Sequence, residues 1–382
     1  MKNIALLACI FSLGISGPSF GKDDSANKIL KGLFDTTLQE TVIKHNIPGV
    51  SLALVSPDGI IYEGTRGVRK MGKSKPILLS DPLHVGSNTK AVTAYLAAIL
   101  VRQGKIDWNT NVSDVFPNIP KAEAQKYNQA TLANLLSHRA WIKPMTKQED
   151  FAGLPRALLD THLAPTAAMQ ARKQFVSQML QYEPSLPKGD KDTNYSNAGY
   201  VVAAAMLEQV AGKPWETLVQ EDIFKPLDIH ALIGWPAEHD RNGVYGHLLD
   251  DDNKLVADDP AALPTILAPA GDLSLSTEDN AKWLMENLKC LQGQSKILTT
   301  AACNRIEIGN PASKQLPMGW SSTVQGGLGR VSTHVSSSGT FMTYAVVYID
   351  KQRAVAITIN SANPDAALAF RDVFSAVNSQ LL

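Results

Sequence analysis

Strand-forming segments lie at the two ends of this chain, and helical spacing fills the stretch between them. That layout constrains the fold more than any single motif does. Val50 to Val55 and Ile60 to Val68 read as a hairpin around Ser56-Pro57-Asp58-Gly59, a sequence with clear turn chemistry. Strands return at Gly329 to Ser336, Phe341 to Ile349 and Ala354 to Asn360. Asn27 to Asn46 spaces Ile29, Leu30, Leu33, Phe34, Leu38, Val42 and Ile43 as the apolar face of a helix, which Pro48-Gly49 stops. A last helix starts at Pro364, a residue favoured at the first helical position. Between these ends the spacing predicts helices over Ser87 to Gln103, Thr131 to Ser137, Ala171 to Tyr182, Ser196 to Val210, Trp215 to Phe224 and Ser276 to Leu291. The expectation is an α+β fold. One mixed sheet is built from both termini (about 27–110 and 235–382), a mainly helical lobe (about 111–234) is inserted, and the site lies in the seam.

The first residues read as an export signal ending near Gly21, which leaves 22–382 as the mature domain. Lys2 supplies a positive start, Ile4 to Ile15 an apolar stretch, and Ser19-Phe20-Gly21 a small-x-small cleavage site. The stretch is shorter than the ~20 residues a permanent membrane anchor needs. Leu6-Leu7-Ala8-Cys9 resembles a lipoprotein box, but too few apolar residues precede it. The expected location is outside the cytoplasm, in the periplasm or beyond. There Cys290 and Cys303 either pair, closing a short surface loop, or stay as thiols. Lys plus Arg equals Asp plus Glu at 36 each, so no basic field exists to collect nucleic acid or anionic lipid. The expected partner is a small-molecule or peptide substrate, and oligomeric state is not fixed.

Several motifs fail on context. Gly67 to Ser74 fits the phosphate-cradling GxxxxGK[ST] pattern, but Lys75-Pro76 follows where a helix must start. No GxSxG elbow joins a strand to a helix, since Gly17 to Gly21 fits those letters only inside the expected leader; HExxH and CxxC are absent, and His45, His162, His230, His239 and His247 have no metal-ligand spacing. Nothing calls for a metal or an organic cofactor.

Ser-x-x-Lys occurs four times, starting at Ser19, Ser25, Ser87 and Ser185. Only Ser87 opens a long apolar helix, where residues three apart share a face and the Lys90 amine can approach the Ser87 hydroxyl. A serine hydroxyl needs such a base, and lysine serves only if burial or neighbouring positive charge lowers its pKa from ~10.4. A serine capping a helix with a lysine on its first turn is common, so this motif alone decides nothing. Tyr195-Ser196-Asn197, the only Tyr-x-Asn among nine tyrosines, adds weight at another helix start. A phenol beside two cations can be driven toward phenolate and act as base. An Asn amide can hold both a lysine and a substrate carbonyl.

With these motifs the sequence resembles the serine β-lactamase and penicillin-binding-protein superfamily. It looks closest to the branch of class C β-lactamases, esterases and D-aminopeptidases. His84-Val85-Gly86-Ser87-Asn88-Thr89-Lys90 resembles the first motif, and Tyr195-Ser196-Asn197-Ala198-Gly199-Tyr200 the second. Gly104-Lys105-Ile106-Asp107, Leu135-Leu136-Ser137-His138, Pro226-Leu227, Pro269-Ala270-Gly271 and Gly319-Trp320 fall in order where related chains carry landmarks. The resemblance implies a β-lactamase/transpeptidase-like antiparallel sheet. It also implies Ser87 as nucleophile, Lys90 and Tyr195 as proton carriers, and Asn197 as orienter of Lys90 and the substrate amide. His334-Val335-Ser336 would be the third motif, binding substrate, and backbone amides of Ser87 and Ser337 the oxyanion hole beside Gly339.

Two departures stand out. His334 replaces a lysine, exchanging a permanent cation for a group mostly neutral near pH 7. Ser336 stands where glycine lets the strand approach the nucleophile's helix, so its side chain is expected to crowd that contact. Ala140-Trp141 also replaces the usual Ser-Gly after His138. Two readings follow: a working serine acyl hydrolase on esters, amides, β-lactams or D-amino-acid peptides, or a wall-peptide or lactam binder that acylates slowly or not at all.

Overall fold

The computed structural model describes residues 24–186, 192–258, 263–310 and 314–381, so the export signal expected at 1–21 lies outside the described residues. The main elements run in chain order. Helix α1 (Asp24–Lys44) precedes the hairpin of β1 (Gly49–Ser56) and β2 (Gly59–Gly67), then β3 (Leu83–Gly86) and α2 (Thr89–Arg102). The central helices are α3 (Leu132–Leu136), α4 (Pro165–Met179), α5 (Asn197–Ala211) and α6 (Trp215–Val219). Strands β4 (Leu232–Ile233) and β5 (Leu273–Leu275) precede α7 (Thr277–Leu291) and α8 (Thr300–Glu307). The chain closes with β6 (Ser321–Gln325), β7 (Gly329–Ser337), β8 (Met342–Tyr348), β9 (Arg353–Ile359) and α9 (Pro364–Ser379).

Strands from both ends form one six-stranded sheet in the order β2-β1-β9-β8-β7-β6. Every pairing in it is antiparallel, so the sheet is not mixed. Alternation along the strands sends large side chains to one face and small ones to the other. Leu52, Leu54, Val355 and Ile357 meet Phe34 and Leu38 of α1 and Phe370 and Val373 of α9. Ala53, Ala345, Ala354 and Ala356 face the second core, and their small size lets α7 settle closely on the sheet. The apolar face expected on α1 is only partly used: Phe34 and Leu38 are buried, whereas Ile29 and Ile43 are more than 70% exposed. Among the described residues no helix is long and apolar enough to cross a membrane.

Helix α2 is buried along nearly its whole length, from Thr89 to Leu100, as expected of a segment that is apolar on all sides. It begins two residues later than its spacing predicts. Gly86 takes a left-handed φ of 54°, and Ser87-Asn88 form a tight turn in which Lys90 N–H donates to the Ser87 carbonyl at 2.9 Å. The Thr89 hydroxyl donates to the Gly86 carbonyl at 2.7 Å and fixes that turn. Two other predicted helices also shift. The one expected over Ala171 to Tyr182 starts at Pro165, whose fixed φ suits a first helical position, and ends at Met179. The one expected over Trp215 to Phe224 is α-helical only to Val219, and Gln220–Phe224 widen into a π-type turn. Cys290 and Cys303 are joined by a disulfide. Both are fully buried, so the bond staples α7 to α8 inside the core and closes no surface loop. His45 pairs with Asp372, and His247 joins Met71 N–H to the Asn360 carbonyl, packing roles as expected.

Candidate active site

Strand β3 pairs with β5, and this small ladder aims the turn carrying Ser87 at the start of α2. The same ladder lays the segment before β5 along α2. The Thr93 hydroxyl donates to the Pro269 carbonyl at 2.7 Å, and Lys90 Nζ donates to the Ala270 carbonyl at 2.6 Å. Across the helix start, Ser196 caps α5 by accepting from Gly199 N–H at 2.9 Å. Tyr195 and Asn197 therefore flank a fixed point.

The three side chains singled out in the sequence converge. Ser87 Oγ lies 3.0 Å from Lys90 Nζ and accepts from the Tyr195 hydroxyl at 2.7 Å. Lys90 Nζ also donates to Asn197 Oδ1 at 2.8 Å, while Asn197 Nδ2 donates to the Met145 carbonyl at 2.9 Å. Lys90 is fully buried, and burial pulls its amine well below the usual lysine range. The two carbonyl-type acceptors work the other way by favouring its charged form. The amine is thus set to exchange a proton with the hydroxyl it touches.

Tyr195 departs from its expected state. The residue is partly exposed, but its hydroxyl bonds Ser87, and burial raises the phenol while the Ser87 contact lowers it. The net shift is upward, so the phenol is a proton donor and not a resting phenolate. His334 does not supply a second cation beside Lys90. Burial and the nearby Lys90 charge pull His334 down to about 4 against the contact with the Gly319 carbonyl, leaving the imidazole neutral near pH 7.

His334 is held by the backbone of the segment beside it. Its Nδ1 points at the Gly319 carbonyl and so carries the proton there. Gly319, at φ 73°, brings this carbonyl in because a Cβ there would meet the Lys90 carbonyl and Ala91 at 2.8 Å. A cavity of about 720 Å³ has Ser87, Asn197, Ser337 and Gly339 on its polar side and Met145, Phe151, Leu159 and Leu267 on its apolar side. His334 does not line it. His334 instead lines a second cavity of about 310 Å³ with Tyr195, His138 and Trp320.

Ser336 does not crowd the nucleophile. Its buried hydroxyl donates to the Val85 carbonyl at 2.7 Å and accepts from Asn88 Nδ2 at 2.9 Å. There is room because Gly86 has no Cβ; one built there would sit 3.3 Å from Ser336 Oγ. The side chain therefore links β7 to both sides of the Ser87 turn. After His138 the backbone is left-handed at His138 itself (φ 61°) and at Trp141 (φ 57°), the second a costly conformation for a bulky residue. His138 had only been a landmark. Its Nδ1 accepts from Ser196 N–H at 3.2 Å, and its carbonyl accepts from Asn194 N–H at 2.9 Å, holding the Tyr195 segment from both sides. Burial, then the Lys90 and His334 charges, pull its imidazole down to about 3. The carbonyls of Ala270 and Gly319, which fix Lys90 and His334, also escaped sequence reasoning. Their only signal was membership of the landmarks Pro269-Ala270-Gly271 and Gly319-Trp320.

A serine touched by both a buried lysine and a tyrosine, set between a sheet and helices, defines a β-lactamase-like class of protein. The profile of the family described as Beta-lactamase matches residues 34–378, and the chain belongs to that family. It is 28% identical over 195 residues to "Penicillin-binding protein 4" of Amycolatopsis lactamdurans, covering 51% of this chain and 47% of that one. It is 25% identical over 274 residues to "Unguisins hydrolase ungD" of Aspergillus violaceofuscus, covering 68% of this chain and 46% of that one. The chain thus spans about half the length of these curated relatives. Among solved structures, a D-amino acid amidase from Ochrobactrum anthropi SV3 superposes with a TM-score of 0.71 at 19% identity, over 92% of this chain and 99% of that one.

Proposed function

We propose that the protein is an exported serine hydrolase working through a covalent acyl-enzyme on an ester, amide, β-lactam or D-amino-acid peptide. The single observation that carries this reading is Ser87 Oγ held between Lys90 Nζ at 3.0 Å and the Tyr195 hydroxyl at 2.7 Å. As Ser87 Oγ bonds the substrate carbonyl carbon, its proton passes to the Lys90 amine, which burial keeps available as a base. The carbonyl oxygen becomes an oxyanion facing the backbone N–H groups of Ser87 and Ser337. Collapse breaks the bond to the leaving group, which takes the Tyr195 proton, and the Lys90 proton restores the phenol. Water then attacks the acyl carbon, gives a proton back through the same pair, and frees Ser87. Asn197 holds Lys90 and presents its remaining amide hydrogen to the substrate.

The relatives support the reading, since their names include penicillin-binding protein, hydrolase and amidase. The apolar stretch from Ile4 to Ile15 and the buried disulfide both fit passage to an oxidising compartment. The reading as a slow or inert binder loses its main ground, because Ser336 is accommodated at the nucleophile turn.

A panel of p-nitrophenyl esters, nitrocefin and D-Ala-D-Ala peptides, with mass spectrometry of Ser87, tests the proposal. Acylation followed by release is expected, with none in Ser87→Ala and acylation slowed roughly 10²–10³-fold in Tyr195→Phe. Undiminished turnover in Ser87→Ala would remove the assignment. Acylation without release would favour the binder.

A further inference from the structure

The short ladder that aims Ser87 is not regular. His84 stands opposite Ser274 and Gly86 opposite Leu273, so two steps along β3 match one step along β5. A bulge of this kind disrupts the local pairing and bends its strand. It falls at Val85, two residues before the nucleophile. The Val85 carbonyl serves the nucleophile turn, accepting from Asn88 N–H at 3.2 Å and from the Ser336 hydroxyl at 2.7 Å. The register of β3 against β5 therefore needs another tie at this point.

The His84 side chain supplies it. The residue is fully buried, and its Nε2 lies 3.2 Å from Asp272 Oδ1, across the bulge from the Ser274 pairing. Facing a carboxylate, Nε2 carries the ring proton. Nδ1 is buried without a hydrogen-bond partner, so Asp272 is the ring's one polar tie among the described residues. The imidazole stacks on Trp235 with centroids 4.1 Å apart and planes 4° from parallel, which fixes its orientation. Neither His84 nor Asp272 lines the Ser87 cavity, so any part they take in the reaction passes through other groups.

Those groups are at hand. Asp272 lies within the segment that serves the start of α2: the Ala270 carbonyl accepts from Lys90 Nζ at 2.6 Å, and Leu273 N–H donates to Thr89 Oγ1 at 3.1 Å. Thr89 in turn fixes the Gly86 carbonyl at 2.7 Å. His84 stands on the strand that leads into Ser87. One buried bond thus joins the segment presenting the nucleophile to the segment presenting the acceptor of its lysine.

We propose that His84 and Asp272 are positioning residues for acylation: their bond bridges the β3 bulge and holds Ser87 and the Ala270 carbonyl, which anchors Lys90, in working register. The proposal rests on the acyl-enzyme reading above and deepens it.

The test is single-turnover acylation of the mature protein by p-nitrophenyl butyrate, with rates corrected for the folded fraction by near-ultraviolet circular dichroism. His84→Phe keeps a ring against Trp235 but cannot donate, and Asp272→Ala removes the acceptor. Each should lower the limiting acylation rate roughly tenfold while leaving the half-saturating ester concentration unchanged. Asp272→Asn, which retains an acceptor, should recover most of the rate. The double variant should be no slower than either single one to within about twofold, because one bond can be lost only once. The Asp272 variants carry the test where the ring replacement prevents folding. A pair that merely stabilises the fold would lower the unfolding midpoint and leave the limiting rate of folded molecules at its wild-type value. That result, or losses that multiply in the double variant, would overturn the positioning role while leaving the hydrolase reading intact. No acylation of Ser87 in the wild-type protein overturns both.

Discussion

Among the described residues two cations, Lys90 and Arg172, are fully buried, and they are treated in opposite ways. Arg172 on α4 lies between two carboxylates: its guanidinium reaches Glu208 at 2.6 Å and Glu216 at 2.8 Å. Those partners more than offset its burial, and its pKa is pushed up. Lys90 on α2 is as deeply buried, but its partners are a serine hydroxyl, an amide oxygen and a backbone carbonyl. Its pKa is pulled down. The contrast shows how to tell a structural buried charge from a chemical one. A charge matched by counter-charges stays put, whereas one given only neutral acceptors can exchange its proton at modest cost.

The sharpest way to break this comparison is to remove each cation in turn. Lys90→Met is expected to cut acylation of Ser87 by roughly 10³-fold or more, measured as single-turnover kcat/KM, while costing little stability. Arg172→Met should do the reverse. Leaving Glu208 and Glu216 uncompensated should cost about 3–5 kcal/mol in denaturant unfolding, with the folded fraction turning over normally. If both variants lost stability equally, the distinction would fail.

Titration sharpens the point further. Because the folded-state pKa of Lys90 lies below its unfolded value of ~10.4, the unfolded chain binds more protons between the two. Stability from this residue therefore rises with pH across that window and is lost as pH falls through it. Lys90→Met should flatten that rise relative to wild type in unfolding midpoints taken from pH 6 to 10. Acylation in the wild-type protein should reach its plateau well below the pH at which an ordinary lysine loses its proton. The smallest effect is expected at Ser336, which tests how tightly the Lys90 side of the site is held. Ser336→Ala removes hydrogen bonds to the Val85 carbonyl and Asn88, with a cost of about 1–3 kcal/mol in stability and a several-fold drop in kcat. Ser336→Thr, which keeps the hydroxyl, should recover most of the kcat if the bonds and not the space are what matter.

Much of the fold was legible because its signals are local. Turn chemistry at Ser56-Pro57-Asp58-Gly59 marks the hairpin of β1 and β2, and the caps Ser196, Ser276 and Asn363 stand at the starts of α5, α7 and α9. Where local signals compete, the reading slipped. The Ser87-Asn88 turn was taken for helix because its residues suit either, and the left-handed Gly86 that decides the matter gives no periodic pattern. Ile29 and Ile43 sit at helical spacing on α1 but outside the arc the sheet can cover.

The sequence by itself singled out the side chains that the proposed chemistry uses. A serine and a lysine three residues apart stand at the start of one apolar segment, and Tyr195 and Asn197 flank the cap of another, so each pair lies close in the chain before any packing. Only the tertiary structure decided their electrical state and their neighbours. Whether Lys90 is stripped of counter-charge, whether Tyr195 rests as a phenol, where His334 spends its proton and whether Ser336 obstructs or braces all depend on groups some 15 to 250 residues away. Desolvation and hydrogen bonding between distant segments have no imprint in local residue order, because they come into being only when the segments pack together.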